Sequence, residues 1–272
     1  MTIATPKDAA TVMILRKNPD NGGTGMEVLM VRRHPRSLFV PNVHVFPGGC
    51  LDDDDCDPSL EAFCTALDHQ KAYVIIGDIE PPEKALGTWI AGIRETFEEV
   101  GLMIAYEKDG SMVALGPPRS EGFSIHRRFL TEGRVRLGKI LKDENLTLAT
   151  DRLFYFSHWV TPELSPLRYD VRFFVMEAPQ NQEALHDGLE LTDHIWISPQ
   201  RALAEHEKDR FGMVLPTIMN LRELCRFETI EEVIRSTKHK RIPRILTKLV
   251  LKGDRYVEVM PDDESVFGPP FL

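Results

Sequence analysis

The chain has 272 residues, 42% hydrophobic and 28% charged, with 33 Lys and Arg against 42 Asp and Glu for a net charge of −9. That balance excludes wholesale disorder and collagen-like repeats, disfavours bulk nucleic-acid binding, which needs a cationic excess, and offers no apolar run near the ~20 residues of a membrane span. Residues 1–10 lack the apolar core of a secretory signal and the four cysteines show no C-x-x-C spacing, so a cytoplasmic protein with reduced thiols is expected.

Residues 11–15 and 26–32 read as two strands of an antiparallel hairpin, joined by the turn-rich Asn18-Pro19-Asp20-Asn21-Gly22-Gly23. Residues 43–46 form a short strand that stops at Pro47-Gly48-Gly49, where the glycines permit a tight turn and close approach of a ligand. An acidic run, Asp52-Asp53-Asp54-Asp55, follows. Pro81-Pro82 and Gly101 bracket a helix over about 83–100. A second helical region covers about 121–144. Strands return at 153–160, 169–177 and 191–197; Ser198-Pro199 starts a helix over 200–208. Helices at 216–226 and 229–236 and a last strand at 256–260 complete an α/β protein of one mixed sheet between helices.

The helix at 83–100 carries the candidate chemistry. With Glu95 at zero and 100° per residue, Glu98 falls near about −60° and Glu99 near about +40°. The apolar residues Leu86, Trp89, Ile90, Ile93, Phe97 and Val100 lie on the opposite side and would anchor the helix in the core. One turn before the carboxylates, Thr88, Ala91 and Gly92 are small, which leaves room for something bulky. The bland reading of such a face is a solvated one, with Arg94 paired to Glu98 at i,i+4. The functional reading is a set of hard oxygen ligands for Mg²⁺ or Mn²⁺.

Context separates the two. Residues 94–102 read Arg-Glu-Thr-Phe-Glu-Glu-Val-Gly-Leu, and Phe46-Pro47-Gly48-Gly49 lies upstream. Together they resemble the box of the Nudix hydrolases, G-x5-E-x7-R-E-U-x-E-E-x-G-U with U apolar. Two departures stand out. Arg94 follows Gly49 by 45 residues where the family pattern has 14, so 31 are inserted. Asp55 stands where the pattern, counted from Gly49, has its loop Glu, whereas counting back from Arg94 reaches Leu86. An interrupted box is similar to that of the branch that splits coenzyme A and its acyl esters. Arg32-Arg33-His34-Pro35-Arg36, His158-Trp159-Val160-Thr161-Pro162 and Arg168-Tyr169-Asp170 extend that likeness.

The resemblance implies a single domain over 1–272, an α/β/α sandwich with an insertion at about 50–82, a helical addition at about 121–145 and a C-terminal extension at about 226–272. It implies an enzyme that hydrolyses a diphosphate with Mg²⁺ or Mn²⁺. Coenzyme A or acyl-CoA would give 3′,5′-ADP and (acyl)phosphopantetheine. The metal would be held by Glu95, Glu98, Glu99 and the Gly48 carbonyl. Glu95 or Glu190 would be the base, and Arg94 would orient the carboxylates or the loop. Asp187 shares the loop of Glu190. Substrate contacts would come from Arg32, Arg33, Arg36, Gly49 and Arg168. The partner expected is a small nucleotide, with no nucleic acid or membrane, and a homodimer is admitted. The alternatives are an ADP-ribose or nucleotide-sugar diphosphatase and a non-catalytic ligand-binding regulator. The regulator would have lost box carboxylates or gained a DNA-reading domain; all three box glutamates are present.

Overall fold

The computed structural model describes residues 3–19, 25–37, 40–186, 188, 190–238, 240–252 and 254–262. Two long strands open the chain, β1 (Lys7–Lys17) and β2 (Met26–Arg33), followed by the short β3 (His44–Val45) and β4 (Gly48–Cys50). The C-terminal half of β1 pairs antiparallel with β2, while its N-terminal half pairs antiparallel with β4 at Ala9–Cys50 and Thr11–Gly48. The expected tight turn at Gly48-Gly49 is therefore an extended strand. A glycine is needed there for another reason: a Cβ on Gly48 would lie 2.3 Å from the Ala10 carbonyl oxygen and 2.6 Å from Thr11 Cα. Only a residue without a side chain lets the two backbones close to ladder distance.

Short 3-10 turns at Asp53–Cys56 and Pro58–Phe63 lead into α1 (His69–Ile76) and then α2 (Pro82–Val100), which Gly101 ends in the left-handed conformation at φ 73°. A two-residue strand, β5 (Ala105–Tyr106), precedes α3 (Arg119–Thr131) and α4 (Leu137–Glu144). The region expected as one stretch is two helices, because Gly133 takes a positive φ of 64° and turns the chain. Then come β6 (Thr147–Leu148), β7 (Phe154–Val160), β8 (Tyr169–Glu177), β9 (Leu191–Ile197), α5 (Pro199–Glu207), α6 (Leu215–Leu224) and α7 (Ile230–Thr237). The chain closes with β10 (Arg244–Leu246) and a hairpin of β11 (Lys248–Lys252) and β12 (Arg255–Val259).

The main sheet is mixed, in the order β10-β7-β8-β1-β2-β3, with β4 on β1 and β9 on β2. Its centre is the parallel pair of β1 with β8, in register from Lys7–Tyr169 to Leu15–Glu177. Side chains alternate across β1. Ala10, Val12 and Ile14 enter one core with Trp89, Ile93 and Phe97 of α2. Met13 and Leu15 enter a second with Ile218 and Leu221 of α6 and Val233 of α7. A strand buried on both faces reads as a continuous apolar run, which is why 11–15 shows no polar alternation.

α2 is covered on almost every side. Gly92 backs onto β1, its missing Cβ 3.1 Å from Val12 Cγ2. The bulky object expected beside Thr88, Ala91 and Gly92 is thus the central strand itself. Within residues 57–81, Leu60, Ala72, Ile76 and Ile79 join the α2 core, while Val74 and Ile75 face solvent. Among the described residues no helix is long and apolar enough to cross a membrane.

Candidate active site

Arg94 organises the carboxylates. Its side chain is buried, and Nε and Nη2 donate to Oδ1 and Oδ2 of Asp55, each at 2.9 Å, a two-pronged pair with a carboxylate only 2% exposed. Nη2 also donates to the Cys50 carbonyl at 2.9 Å, at the end of β4. Nη1 donates to Glu95 at 2.9 Å and to Glu98 at 3.1 Å. One guanidinium thus ties the acidic loop, β4 and the exposed side of α2 together. Asp55 fills the position of the family's loop carboxylate despite its shorter side chain, and the residue that does so is the one counted from Gly49. Its Oδ2 also accepts from the Asp52 N–H at 2.9 Å, which closes the first 3-10 turn.

Glu99 points the other way around the helix. Its Oε2 accepts from the Gly48 N–H at 2.8 Å, so the glycine strand is stitched to α2 across the sheet edge. Gly49 needs its missing side chain to admit the neighbouring box residue: a Cβ would fall 2.4 Å from the Glu95 carboxyl carbon.

Burial raises the pKa of all three box carboxyls. Glu95 is pushed up to about 7, with Arg94 opposing and Glu98 reinforcing the shift. Glu98 is also raised by burial against the pull of Arg94. Glu99 lies well above the usual carboxylate range, through burial and then the charge of Glu95. Asp55, Glu95, Glu98 and Glu99 together carry more charge than Arg94 offsets, so mutual repulsion among them adds to the larger effect of burial. The donors are all carboxylate oxygens, the chemistry of Mg²⁺, Ca²⁺ or Mn²⁺ rather than of a soft metal. Among the described residues no three His, Cys, Asp or Glu side chains converge on one metal position. The reason is visible: Arg94 draws Glu95 and Glu98 together while Gly48 holds Glu99.

These groups open into a cavity of about 460 Å³. Its lining includes Gly48, Gly49, Arg94, Glu95, Glu98 and Glu99, with Arg33 and Glu190. Trp159, Val160, Val171, Phe173, Val214 and Pro216 add aromatic and aliphatic surface to the same wall. Arg33 acts electrostatically on Glu99, lowering its pKa, and Glu190 raises it. Arg32 and Arg36 do not line the cavity; Arg32 reaches Asn42 at 3.4 Å and both side chains are exposed. Arg168 is elsewhere too, its guanidinium donating to the Thr161 and Ala4 carbonyls from a buried position. Asp170, in the segment that extends the likeness, and Arg172 two residues on are buried in an ionic network with His158, Asp8 and Arg244. Asp187 lies outside the described residues.

Two contributors carried no signal in the sequence. Arg127, on α3, donates from Nε to the Glu98 carbonyl at 2.8 Å and so meets an orphan carbonyl near the end of α2. Glu258, on β12, stands in the cavity wall more than 150 residues from the box.

The fold and the box on it are similar to those of the Nudix hydrolases. In sequence the chain is 24% identical to the acyl-coenzyme A diphosphatase NUDT19 of Xenopus laevis over 287 residues, 94% of this chain and 75% of that protein. It is 23% identical to the Homo sapiens protein of the same name over 274 residues, 88% of this chain and 72% of the other. In three dimensions it is similar to a Nudix hydrolase crystal structure from Alicyclobacillus acidocaldarius, with a TM-score of 0.70, 23% identity and coverage of 88% of this chain and all of that one. That likeness speaks to the fold alone. No family profile matches the chain.

Proposed function

We propose that this protein hydrolyses the diphosphate linkage of coenzyme A or an acyl-CoA, giving 3′,5′-ADP and (acyl)phosphopantetheine, with Mg²⁺ or Mn²⁺. The observation that carries the reading is the mixed lining of the cavity at the box: the box carboxylates and Arg33 share it with aromatic and aliphatic residues such as Trp159, Val160, Phe173 and Pro216. Coenzyme A combines the same two characters, a nucleotide diphosphate joined to a long uncharged arm. The similarity to acyl-coenzyme A diphosphatases supports the same substrate class.

Glu98 and Glu99, with Glu95 and the Gly48 carbonyl, would hold the cation, which supplies charge neutralisation for the diphosphate and acidifies water. Arg94 holds Glu95 and Glu98 in place and pins the Asp55 loop against α2. Glu95, held by Arg94 beside Glu98 in the cavity, is one candidate to take a proton from the attacking water. Glu190, which shares the cavity and acts on Glu99, is the other candidate base. Arg33, beside Glu99, faces the reacting diphosphate; Arg32 and Arg36 are left for the 3′-phosphate of the nucleotide.

The test is a product assay with coenzyme A, an acyl-CoA, 3′-dephospho-coenzyme A and ADP-ribose, each with Mg²⁺ and Mn²⁺. The expected product is 3′,5′-ADP. A charge-assisted contact to the 3′-phosphate contributes about 1.5–3 kcal/mol, so coenzyme A should exceed its dephospho form roughly 10- to 150-fold in kcat/KM. Release of AMP from ADP-ribose with no turnover of coenzyme A would overturn the proposal.

A further inference from the structure

Glu258 is out of place for a surface acid. It is 4% exposed and faces the same cavity as the box. Its one side-chain partner is the Thr247 hydroxyl, which bonds Oε1 and also lies 3.2 Å from the Val160 carbonyl. Burial pushes its carboxyl up to about 7, opposed by that hydroxyl. The cavity wall it belongs to also carries Trp159, Val160, Phe173 and Pro216, with Thr161 and Thr217 beside them.

The register of the hairpin places Glu258 on an otherwise apolar face. Leu249 stands opposite Glu258 and Leu251 opposite Tyr256, so all four share one face of the ribbon. Leu251 and Tyr256 are 60% and 42% exposed, an unusual state for two large apolar side chains side by side. Glu258 thus brings a carboxyl into a cavity wall that also holds Val160, Thr161, Pro216 and Thr217. A hydrocarbon laid against it would give the carboxyl nothing beyond the Thr247 hydroxyl, and an anion would meet a second acid; both are costly. An amide suits it in either protonation state, because its carbonyl accepts from the acid and its N–H donates to the carboxylate.

We infer that Glu258 is a specificity-determining residue that hydrogen-bonds an uncharged amide of the substrate's non-nucleotide arm as that arm crosses the cavity. The inference rests on the coenzyme A reading, whose arm carries such amides.

The experiment compares the wild type with Glu258→Leu and Glu258→Gln. For the leucine variant, kcat/KM with coenzyme A should fall about tenfold, carried by KM. Glutamine, which keeps a donor and an acceptor, should restore it to within about threefold, since tenfold corresponds to about 1.4 kcal/mol, the worth of one hydrogen bond. The inhibition constant of 3′,5′-ADP, which reaches only the nucleotide end, should stay within about twofold in both. An unchanged KM in Glu258→Leu overturns the inference. So does an equal rise in KM and in the 3′,5′-ADP constant, because Glu258 would then be a strut for the hairpin. Should the leucine variant misfold, Glu258→Met carries the same comparison. A wild type that does not turn over coenzyme A removes the proposed function first, before any variant is made, and this inference with it.

Discussion

Replacing Asp55 by alanine tests the centre of the site. The change removes two 2.9 Å bonds from Arg94 and the acceptor for the Asp52 N–H. Breaking a buried pair costs about 3–5 kcal/mol when the surviving charge is left alone. Here Arg94 keeps Glu95, Glu98 and the Cys50 carbonyl, so the loss falls near the low end, about 3 kcal/mol. The pair's net worth is smaller than that figure, since burial raises the Asp55 pKa even against Arg94. The cost lies in the groups left behind. At roughly 2–4 °C per kcal/mol for a domain of this size, Tm should drop by about 6–12 °C. Calorimetry reads the shift, and kcat should fall at least about tenfold as the freed guanidinium settles onto Glu95 and Glu98. Asp55→Glu, which restores the family's usual residue, should also destabilise, by about 1–3 kcal/mol, because an added methylene has no room at a 2% exposed site. An alanine variant that melts within about 1 °C of wild type and turns over normally would refute the latch.

Glu99→Gln should lose at least about a hundredfold in kcat while Tm holds or rises, because the amide still accepts from Gly48 N–H and a strongly desolvated carboxyl is gone. The two glycines should separate. Gly48→Ala meets backbone at 2.3 Å and should cost about 3 kcal/mol in denaturant titrations, whereas Gly49→Ala meets the movable end of Glu95 and should spare Tm but cut kcat at least about tenfold. For Glu258, the folded carboxyl holds its proton to about pH 7 against about 4.5 unfolded. Its contribution is therefore fully present below about pH 4.5 and is lost as the pH rises through 7. Urea melts at pH 5 and pH 8 should show wild type losing about 3 kcal/mol relative to Glu258→Gln; equal slopes of stability with pH would contradict the buried acid.

What could be read in advance follows the range of the interactions. The strands at 169–177 and 191–197 and the helix at 83–100 are set by local pattern, and the structure has β8 and β9 at those limits and α2 one residue longer. The carboxylate face was readable because helical spacing alone places Glu95, Glu98 and Glu99 together. Its electrostatics were not. Arg94 looked like an i,i+4 partner of Glu98, and it is one, but its stronger engagement is with Asp55, 39 residues away. Gly92 looked like open space because a helical wheel shows which side a residue occupies, not what packs there. Arg168 was open to a substrate contact because it is charged. Its burial, like that of Asp170 and Arg172, depends on β10 and the N-terminal segment, contacts more than 70 residues distant. Glu258 carried no signal for the same reason: a lone acid in an apolar strand becomes notable only once the hairpin lies over the cavity.

The interrupted box shows where such a motif can be cut. Its working parts are two bodies, the β4 strand with its acidic turn and the helix α2. They are joined by Arg94 to Asp55 and Cys50, by Glu99 to Gly48, and by close packing of Gly87, whose missing Cβ is 2.9 Å from Cys56 Sγ and 3.3 Å from the Asp55 carbonyl oxygen. None of these contacts depends on the length of chain between Cys56 and Pro82. Each doubling of a flexible connection costs only about 0.6 kcal/mol, and Leu60, Ala72, Ile76 and Ile79 offset it by burial against the α2 core. An insertion before Asp55 would carry the loop carboxylate away from Arg94, and one after Pro82 would rotate the glutamates off their face. The break lies between the two, which is why counting from the glycines finds the arginine's partner and counting back from the arginine does not.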